Sequence, residues 1–420
     1  MKGTKIWFLA LLAIALPLAI SCGSNDDEED FKEEVIDFST ITGNTITLTK
    51  SDKKDGKYFY GNLYYKIPGK SKQQIWVVGA EEEITYATIP AFVLIDGKKY
   101  ACTRIDDRAF QLCKGLREIE IPNSVQSIGT YAFFSCEALT GVTIASSVKE
   151  FDEAVFRDCT ALKSIELPAE ATLGERMFAG CSALTLVRLP EKLKVLPGYI
   201  FRDCTSLKTV ILPSGLQEIG PWAFYECTAL QSLAIPSGVT SIGKRVFYNC
   251  SALTSIVMPA ELTNLGESAL RGCTSLTSIT FPKNLTKLDI FTFENCTSLK
   301  SVTLPENLEE IGDFAFRNCT SLKSVTLPEN LEEIGSFAFE NCPELPSITL
   351  PASLRKIGNG SFRLCDLLTT VHCKASYPPT ITITSFDDEI KKTLYVPKDS
   401  APLYKDANYW SRFFGTILTE

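Results

Sequence analysis

The chain has 420 residues, with 45% hydrophobic and 22% charged residues, and a formal net charge of −8. It has 15 cysteines but one histidine, His372, which excludes metal sites built from paired histidines. The acidic balance argues against a phosphate-binding surface and therefore against nucleic acid as a partner. The length exceeds that of one typical domain two- to threefold, so one globular core is not expected.

The N-terminus predicts an export signal over residues 1–21. Lys2 and Lys5 precede an apolar stretch from Ile6 to Ile20, too short to span a bilayer but suited to a signal peptide. The stretch ends in Ala19-Ile20-Ser21-Cys22, which resembles a bacterial lipoprotein signal with Cys22 as the lipidated residue. The alternative is an ordinary secretory signal with a chance cysteine.

Residues 22–34 form an acidic tether. Asp26-Asp27-Glu28-Glu29-Asp30 follows Cys22 closely, and no apolar residue comes before Phe31. Like charges repel and nothing can be buried, so we expect this run to be unfolded. An acidic run after the lipidated cysteine resembles the surface-export signal of some Gram-negative lipoproteins; a merely solvated spacer is the alternative.

Residues 35–99 predict a small β region. Alternating runs occur at Thr45–Leu48, Tyr58–Tyr60, Leu63–Ile67 and Ile75–Gly79. The segment Ile89–Tyr100, with Asp96-Gly97 at its centre, suits a hairpin. We expect this region to cover the open edge of the repeated segment that begins near residue 100.

Residues 100–373 hold about twelve copies of one motif. Cysteines recur at intervals of 23 residues, once 22, at positions 113, 136, 159, 181, 204, 227, 250, 273, 296, 319, 342 and 365. A fixed period of this length indicates a solenoid. In one copy, Leu322–Leu327 alternates like a strand and Pro328 ends it. Leu331–Ile334 suits a second short strand, and Ser336–Phe339 suits one helical turn.

This pattern, F-x-x-C-x-x-L-x-x-[IV]-x-[LI]-P-x-x-L-x-x-I-G-x-x-A-F, resembles the leucine-rich repeats of BspA-like bacterial surface proteins. The resemblance implies a right-handed solenoid with a parallel sheet on its concave side. It also implies adhesion to host matrix proteins, to bacterial surface proteins or to glycans. The residues themselves do not identify the ligand.

The cysteine column favours free thiols over disulfides. Equivalent side chains on successive turns point in parallel, whereas a disulfide needs Cβ atoms that approach each other with a torsion near 90°. Each thiol then acts as a small apolar group with a weak donor. A metal ladder is disfavoured because no C-x-x-C pair or second histidine is present. Cys373 belongs to the core by its position, and Cys102 stays undecided.

Residues 374–420 predict a C-terminal cap. Leu394–Pro397 is strand-like, and Ser400 can N-cap a short helix with Pro402 in its first turn. An aromatic tail follows, formed by Tyr404, Tyr409, Trp410, Phe413, Phe414, Ile417 and Leu418. We expect it to pack on the last turn rather than to form a binding site.

The usual catalytic motifs are missing, and no cofactor is predicted. The best carboxylate pair is Glu120 and Glu166, two strands apart and about 10 Å from each other, at the outer limit for an inverting glycosidase. Solvated surface glutamates are the simpler interpretation. His372 is outward on the last strand, where we expect a surface residue without a partner.

The outward positions of the predicted strands are where a partner would bind. The middle turns place an apolar strip there, formed by Leu186, Arg188, Ile211, Ala234 and Val257. Serine and threonine dominate the later turns, which strand preference alone can explain.

The sequence thus predicts a non-enzymatic lipoprotein of the outer membrane that displays a solenoid at the cell surface. A scaffold for other envelope proteins, facing the periplasm or on the surface, is the alternative.

Overall fold

The structure, a computed structural model, describes residues 38–69, 71, 73–387 and 392–420. The predicted signal peptide, Cys22 and the acidic tether lie outside these residues. Ile36–Glu420 makes up one unit, which contains the N-terminal β region, the repeats and the C-terminal segment.

The N-terminal β region follows the alternating runs of the sequence. Its elements are β1 Thr45–Leu48, a 3-10 helix Lys50–Asp52, β2 Lys53–Lys54, β3 Lys57–Tyr60, β4 Leu63–Lys66, β5 Gln74–Ala80, β6 Tyr86–Thr88, β7 Phe92–Ile95 and β8 Lys98–Ile105. The predicted hairpin is present, since β7 and β8 pair antiparallel. Asp96 and Gly97 join them with φ of 48° and 78°, as a tight two-residue hairpin turn requires.

Almost every repeat contributes two short strands, as the sequence predicts, but Gln231–Ala234 has no strand where the first one is expected. In chain order these are β9 Glu118–Ile121, β10 Ser127–Ile128, β11 Gly141–Ile144, β12 Glu150–Phe151, β13 Ser164–Glu166, β14 Thr172–Leu173, β15 Leu186–Arg188, β16 Val195–Leu196, β17 Thr209–Ile211, β18 Glu218–Ile219, β19 Ser241–Ile242, β20 Ser255–Val257, β21 Asn264–Leu265, β22 Ser278–Thr280, β23 Lys287–Leu288, β24 Ser301–Thr303, β25 Glu310–Ile311, β26 Ser324–Thr326, β27 Glu333–Ile334, β28 Ser347–Leu350, β29 Lys356–Ile357 and β30 Thr370–Cys373. Strands at equivalent positions of neighbouring turns pair parallel, which makes the fold a solenoid.

The solenoid is longer than twelve turns, because both flanking regions continue it. β6 pairs parallel with β9 at the N-terminal end. At the other end, β31 Lys392–Val396 and β32 Phe414–Thr419 extend the sheet after β30. The array therefore has about fifteen turns. The sequence motif missed the outer turns because they lack its cysteine column.

The sheet formed by the first strands is not continuous, contrary to expectation. It divides into β6-β9-β11, β13-β15-β17, β20-β22, β24-β26 and β28-β30-β31-β32. The second strands form β8-β10-β12-β14, β16-β18-β19-β21 and β23-β25-β27-β29, of which the first continues into the N-terminal region. From β9 onward, the breaks in the two series fall at different junctions, so successive turns always share at least one strand pair or bridge.

The predicted helical turn of each repeat is wrong. In the repeat that holds Asp313–Phe316, the equivalent of Ser336–Phe339, both Phe314 and the nearby Asn318 are left-handed, with φ of 60° and 61°. The amides of Phe314, Phe316 and Asn318 donate to carbonyls of the next turn at 2.7–2.9 Å. The intervening Arg317 amide bonds backward to Phe314 O at 3.1 Å. This alternation joins neighbouring turns, which an α-helix cannot do because its amides bond within the helix.

The core runs along the whole array as columns of like side chains. Phenylalanines stack ring on ring, as between Phe316 and Phe339 with centroids 5.2 Å apart and planes at 4°. The column continues past the repeats, because Phe386 stacks on Phe362 at 5.0 Å. Such stacks bury large apolar area and add aromatic contacts to it.

The C-terminal segment packs onto the last turns. It contains α1 Ala401–Asp406 and α2 Trp410–Phe413. Tyr404 donates its hydroxyl to Ala375 O at 2.8 Å, and Trp410 donates Nε1 to Pro379 O at 2.9 Å. Ser400 is at the N-cap position of α1 and Pro402 is in its first turn, but the Ser400 side chain makes no capping bond.

Candidate binding face

The first of the two strands of a repeat points side chains outward, and these side chains form two columns along the array. We call the outer side of these first strands the sheet face. In most of these strands a buried residue lies between two exposed residues, as in Leu186-Val187-Arg188. This alternation results from the two-residue period of a strand. The sheet face therefore presents one pair of outward side chains from each turn.

The predicted apolar strip lies on this face. Leu186, Ile211 and Val257 are 45%, 37% and 72% exposed, and Ala234 is exposed as well. Arg188 is in register with Ile211 on the next strand. Within the described residues, Arg188 has no ion-pair partner. The strip thus combines uncovered apolar side chains with an unpaired guanidinium.

The strip crosses a break in the sheet. Gln231–Ala234 has no assigned strand, whereas β17 and β20 hold Ile211 and Val257 on either side. Leu233 still points inward, with 6% exposure, so Ala234 keeps its outward position. The sequence predicted the direction of these side chains correctly but not the missing strand.

The later turns present hydroxyl groups on the same face. Ser278, Thr280, Ser301 and Thr303 are exposed, and their hydroxyls make no hydrogen bond within the described residues. The threonine just before the strand differs, since Thr277 Oγ1 donates to Thr254 O at 3.3 Å. The pre-strand hydroxyls therefore hold turns together, while the sheet-face hydroxyls do not.

Glu120 and Glu166 lie on the open surface of the sheet face. Both are exposed, and Thr88 Oγ1 donates to Glu120 Oε2 at 3.4 Å. Glu166 is in register with Arg188, although no ion pair joins them in the described part of the chain. The geometry gives neither carboxylate a buried setting of the kind that tunes a general acid.

His372 has partners, which corrects the expectation of an isolated surface residue. Its Nδ1 is 2.9 Å from Glu420 Oε2, and its ring stacks on Tyr395 with centroids 4.7 Å apart. Sequence reasoning missed both contacts, because it did not predict that β31 and β32 continue the sheet beside β30.

The cysteine column consists of free thiols, as predicted. Every cysteine among the described residues is unpaired and buried, including Cys102 and Cys373. From Cys136 to Cys365, each column thiol donates to a main-chain carbonyl of the preceding turn at 3.1–3.3 Å. Burial raises the thiol pKa, to about 12 for Cys296. A thiol with so high a pKa is a poor nucleophile at neutral pH.

A column of aromatic and cationic side chains lies in the segments that follow the second strands of the repeats. Sequence reasoning missed this column. Tyr199 stacks on Trp222 at 4.9 Å, with Arg176 and Lys244 over the outer faces at 4.5 Å each. Tyr199 and Trp222 occupy equivalent positions of successive repeats, so an alignment of the repeats at this position would have revealed the column. Because neighbouring rings and cations cover the ring faces, the column stabilises the stack rather than offering a platform for ligands.

A ladder of alternating charges runs beside these aromatics. Glu294 lies between Arg271, at 2.6 Å, and Arg317, at 3.4 Å; Arg317 also pairs with Glu340 at 2.9 Å. The Glu294 side chain is 3% exposed. Burial raises the pKa of this carboxyl, and the two guanidinium groups oppose that effect.

Two kinds of site were not found among the described residues. No group of three or more histidine, cysteine, aspartate or glutamate side chains there could hold a metal ion. In that part of the chain, no helix is long and apolar enough to cross a membrane. The predicted lipidation site, Cys22, is outside the range that the structure describes.

Comparison with known families matches the repeat array directly. The profile described as "BspA type Leucine rich repeat region (6 copies)" matches residues 98–206, 171–300 and 286–412. The chain belongs to the BspA-type leucine-rich repeat family. Among curated proteins, no sequence matches significantly.

Solved leucine-rich repeat proteins have similar folds. A leucine-rich repeat protein from Bacteroides ovatus is 29% identical, covers 80% of this chain and 99% of its own, and has a TM-score of 0.58. A leucine rich cell surface protein from Faecalibacterium prausnitzii is 23% identical, covers 88% of this chain and 96% of its own, and has a TM-score of 0.52. The predicted BspA-like solenoid is confirmed.

Proposed function

We propose that this chain is a non-enzymatic, lipid-anchored surface protein whose sheet face binds a protein partner. The observation that carries the proposal is the apolar strip of Leu186, Ile211, Ala234 and Val257 beside the unpaired Arg188. Membership of a repeat family that builds extended binding surfaces supports a binding role. The proposed ligands are host matrix proteins or bacterial surface molecules.

The chemistry of the strip favours protein over glycan. Covering exposed aliphatic side chains contributes about 25 cal/mol per Å² of apolar area removed from water. Arginine is enriched at binding hot spots, and its guanidinium forms bidentate hydrogen bonds with carboxylates. We therefore propose a partner that presents apolar side chains next to an acidic residue. The uncharged hydroxyls of the later turns can add polar contacts along the same face.

Aspartate substitutions test the strip. Ile211→Asp and Val257→Asp place charges where the partner must desolvate the surface, so each should weaken binding at least about tenfold. The matched control is Val195→Asp, which alters a 47% exposed valine of a second strand, away from the sheet face. Purified chain is used as bait for matrix proteins, envelope proteins and glycans. If all three variants fold and bind as tightly as the wild-type chain, the strip is not part of the binding site.

The anchor is tested separately. Metabolic labelling with a fatty acid should mark the wild-type chain, and Cys22→Ser should abolish the label. Protease treatment of intact cells should digest the protein if it is displayed outside. Protection from protease would favour the alternative, a scaffold that faces the periplasm and organises envelope proteins. Neither result depends on whether the sheet face binds a partner.

A further inference from the structure

The last strand, β32, ends the sheet with an open edge. Within the described residues it pairs with β31 and with no other strand. Glu420 N donates to Val396 O at 3.0 Å, which sets the direction of alternate backbone groups along the strand. The N–H and C=O groups of Thr416 and Leu418 therefore face β31. Those of Gly415, Ile417 and Thr419 face outward, towards a missing neighbour.

The core side chain of β32 is also incompletely covered. In register, Val371 pairs with Leu394 and Leu394 pairs with Ile417. Val371 and Leu394 are fully buried, whereas Ile417 is partly exposed. One more strand at this edge would complete the burial of Ile417 as well as the backbone pairing.

The edge lacks the usual protection against strand addition. Native proteins place lysine or proline on open edges, and β2, at the end of the N-terminal sheet, follows this rule with Lys53 and Lys54. β32 reads Phe-Gly-Thr-Ile-Leu-Thr and holds neither residue. Its composition favours strand pairing, since threonine and isoleucine have high β-propensity.

We propose that β32 pairs antiparallel with β32 of a second copy of this chain, forming a two-fold symmetric dimer. With Ile417 opposite its own counterpart, Gly415 faces Thr419 of the other copy. This register pairs outward-facing residues with outward-facing residues, so their N–H and C=O groups bond to each other. It places Thr416 opposite Leu418 and Glu420 opposite Phe414, and no like charges meet. A two-fold interface of this kind closes on itself and does not propagate into fibres.

Site-specific cross-linking tests the register. In a hydrogen-bonded antiparallel pair, opposite Cα atoms are about 5.5 Å apart, within disulfide range. Mild oxidation of full chain carrying Cys22→Ser should link Ile417→Cys to itself. Gly415→Cys and Thr419→Cys should not link alone, but a mixture of the two should. The described native cysteines are all buried and do not interfere.

The molar mass in solution tests the dimer itself. Light scattering should show twice the monomer mass as the concentration of the full chain rises. Ile417→Lys should lower the dimer fraction at least about tenfold, because an edge lysine cannot be desolvated cheaply. Thr416→Lys, with its backbone groups on β31, is the matched control and should dimerise. Monomers at every concentration overturn the proposal, as do equal cross-links at all three cysteine positions. Monomers that instead capture an extended peptide at β32 would identify a foreign strand as the occupant, which also overturns it.

Discussion

The thiol of Cys136 donates a hydrogen bond to the main-chain carbonyl of Phe110, with Sγ and O 3.1 Å apart. The same bond recurs on successive turns, so a weak donor becomes a regular link between them. Each of these links depends on a thiol that stays buried and protonated.

In a chain carrying Cys22→Ser, the native cysteines, all within the described residues, should not react with a thiol reagent at pH 8. Their burial removes both access and thiolate character. We expect no labelling of the column cysteines in folded chain, and their joint labelling once urea exceeds the unfolding midpoint. The variant Val257→Cys, at a site that is 72% exposed, should react at once and serves as the positive control. Gradual labelling of individual turns before the midpoint would show that the array does not unfold as one unit.

Alkaline pH should destabilise the fold steeply. An unfolded chain ionises its thiols above about pH 8.5, whereas burial raises the folded pKa of Cys296 and Cys365 to about 12. The folded state then binds more protons, so stability is full below about pH 8.5 and falls as pH rises towards the folded pKa. Each such thiol contributes up to about 1.4 kcal/mol per pH unit.

Urea midpoints at pH 7.5 and 10 measure this effect. Replacing Cys227 and Cys250 by serine removes two titrating groups but keeps a donor to the same carbonyls. The double variant should therefore lose less stability than the wild type between the two pH values. An identical loss would assign the alkaline sensitivity to other groups.

Deleting one turn should lower the stability of the fold by an amount that depends on which charged side chains the deletion brings together. The turns Asn295–Arg317 and Asn318–Glu340 differ at Asp313 and Ser336 and at Arg317 and Glu340. Deletion of residues 318–340 leaves Glu294 between Arg271 and Arg317, and the like charges that it brings together, Arg317 and Arg363, have 39% and 54% exposed side chains that water screens. Deletion of residues 295–317 instead brings Glu294 against Glu340, two carboxylates with 3% and 10% exposed side chains.

We expect both products to fold, because each solenoid turn contacts only its neighbours. The product of the second deletion should be less stable by about 1–3 kcal/mol at neutral pH. The difference should shrink towards acidic pH, because one of two adjacent carboxyls then takes up a proton. Thermal unfolding of the two products provides the measurement, and equal stability at both pH values would contradict the charge argument.

Gly360→Ala should destabilise the last turns. Gly360 has φ of +60°, and a Cβ there would lie 2.5 Å from Cε1 of the Phe337 ring. The left-handed backbone alone is not prohibitive, because Ala154 occupies the equivalent position with φ of 57°. We expect a loss of about 1–3 kcal/mol from displacement of the ring.

The background variant Phe337→Ala separates the two causes. Without the ring, Gly360→Ala should cost less than about 1 kcal/mol, and the coupling appears as a double-mutant cycle. A cost that persists unchanged in this background would point to the backbone instead of the ring.

The sequence was sufficient for the repeat and its core, because every turn places the same residue types in the same columns. Phe316, Cys319 and Leu322 are buried for the reason that their spacing suggested. The inward and outward sides of the strands were equally readable, since alternation around Val187 is local.

The errors arise where contacts between turns decide the structure. The stretch Ser336–Phe339 and its equivalent Asp313–Phe316 suit one turn of helix, yet the Phe316 amide bonds to Ala338 of the next turn. Glu420 lies 48 residues beyond His372, and their contact depends on strands outside the motif. The break at Gln231–Ala234 depends on backbone geometry, because these residues keep the alternating pattern.

The staggered breaks of the two strand series have a mechanical consequence. From β9 onward, each junction between turns retains backbone pairing in at least one series. A load along the array therefore meets peptide hydrogen bonds at every junction, and no single joint depends on side-chain packing alone. Such an arrangement spreads tension over many turns.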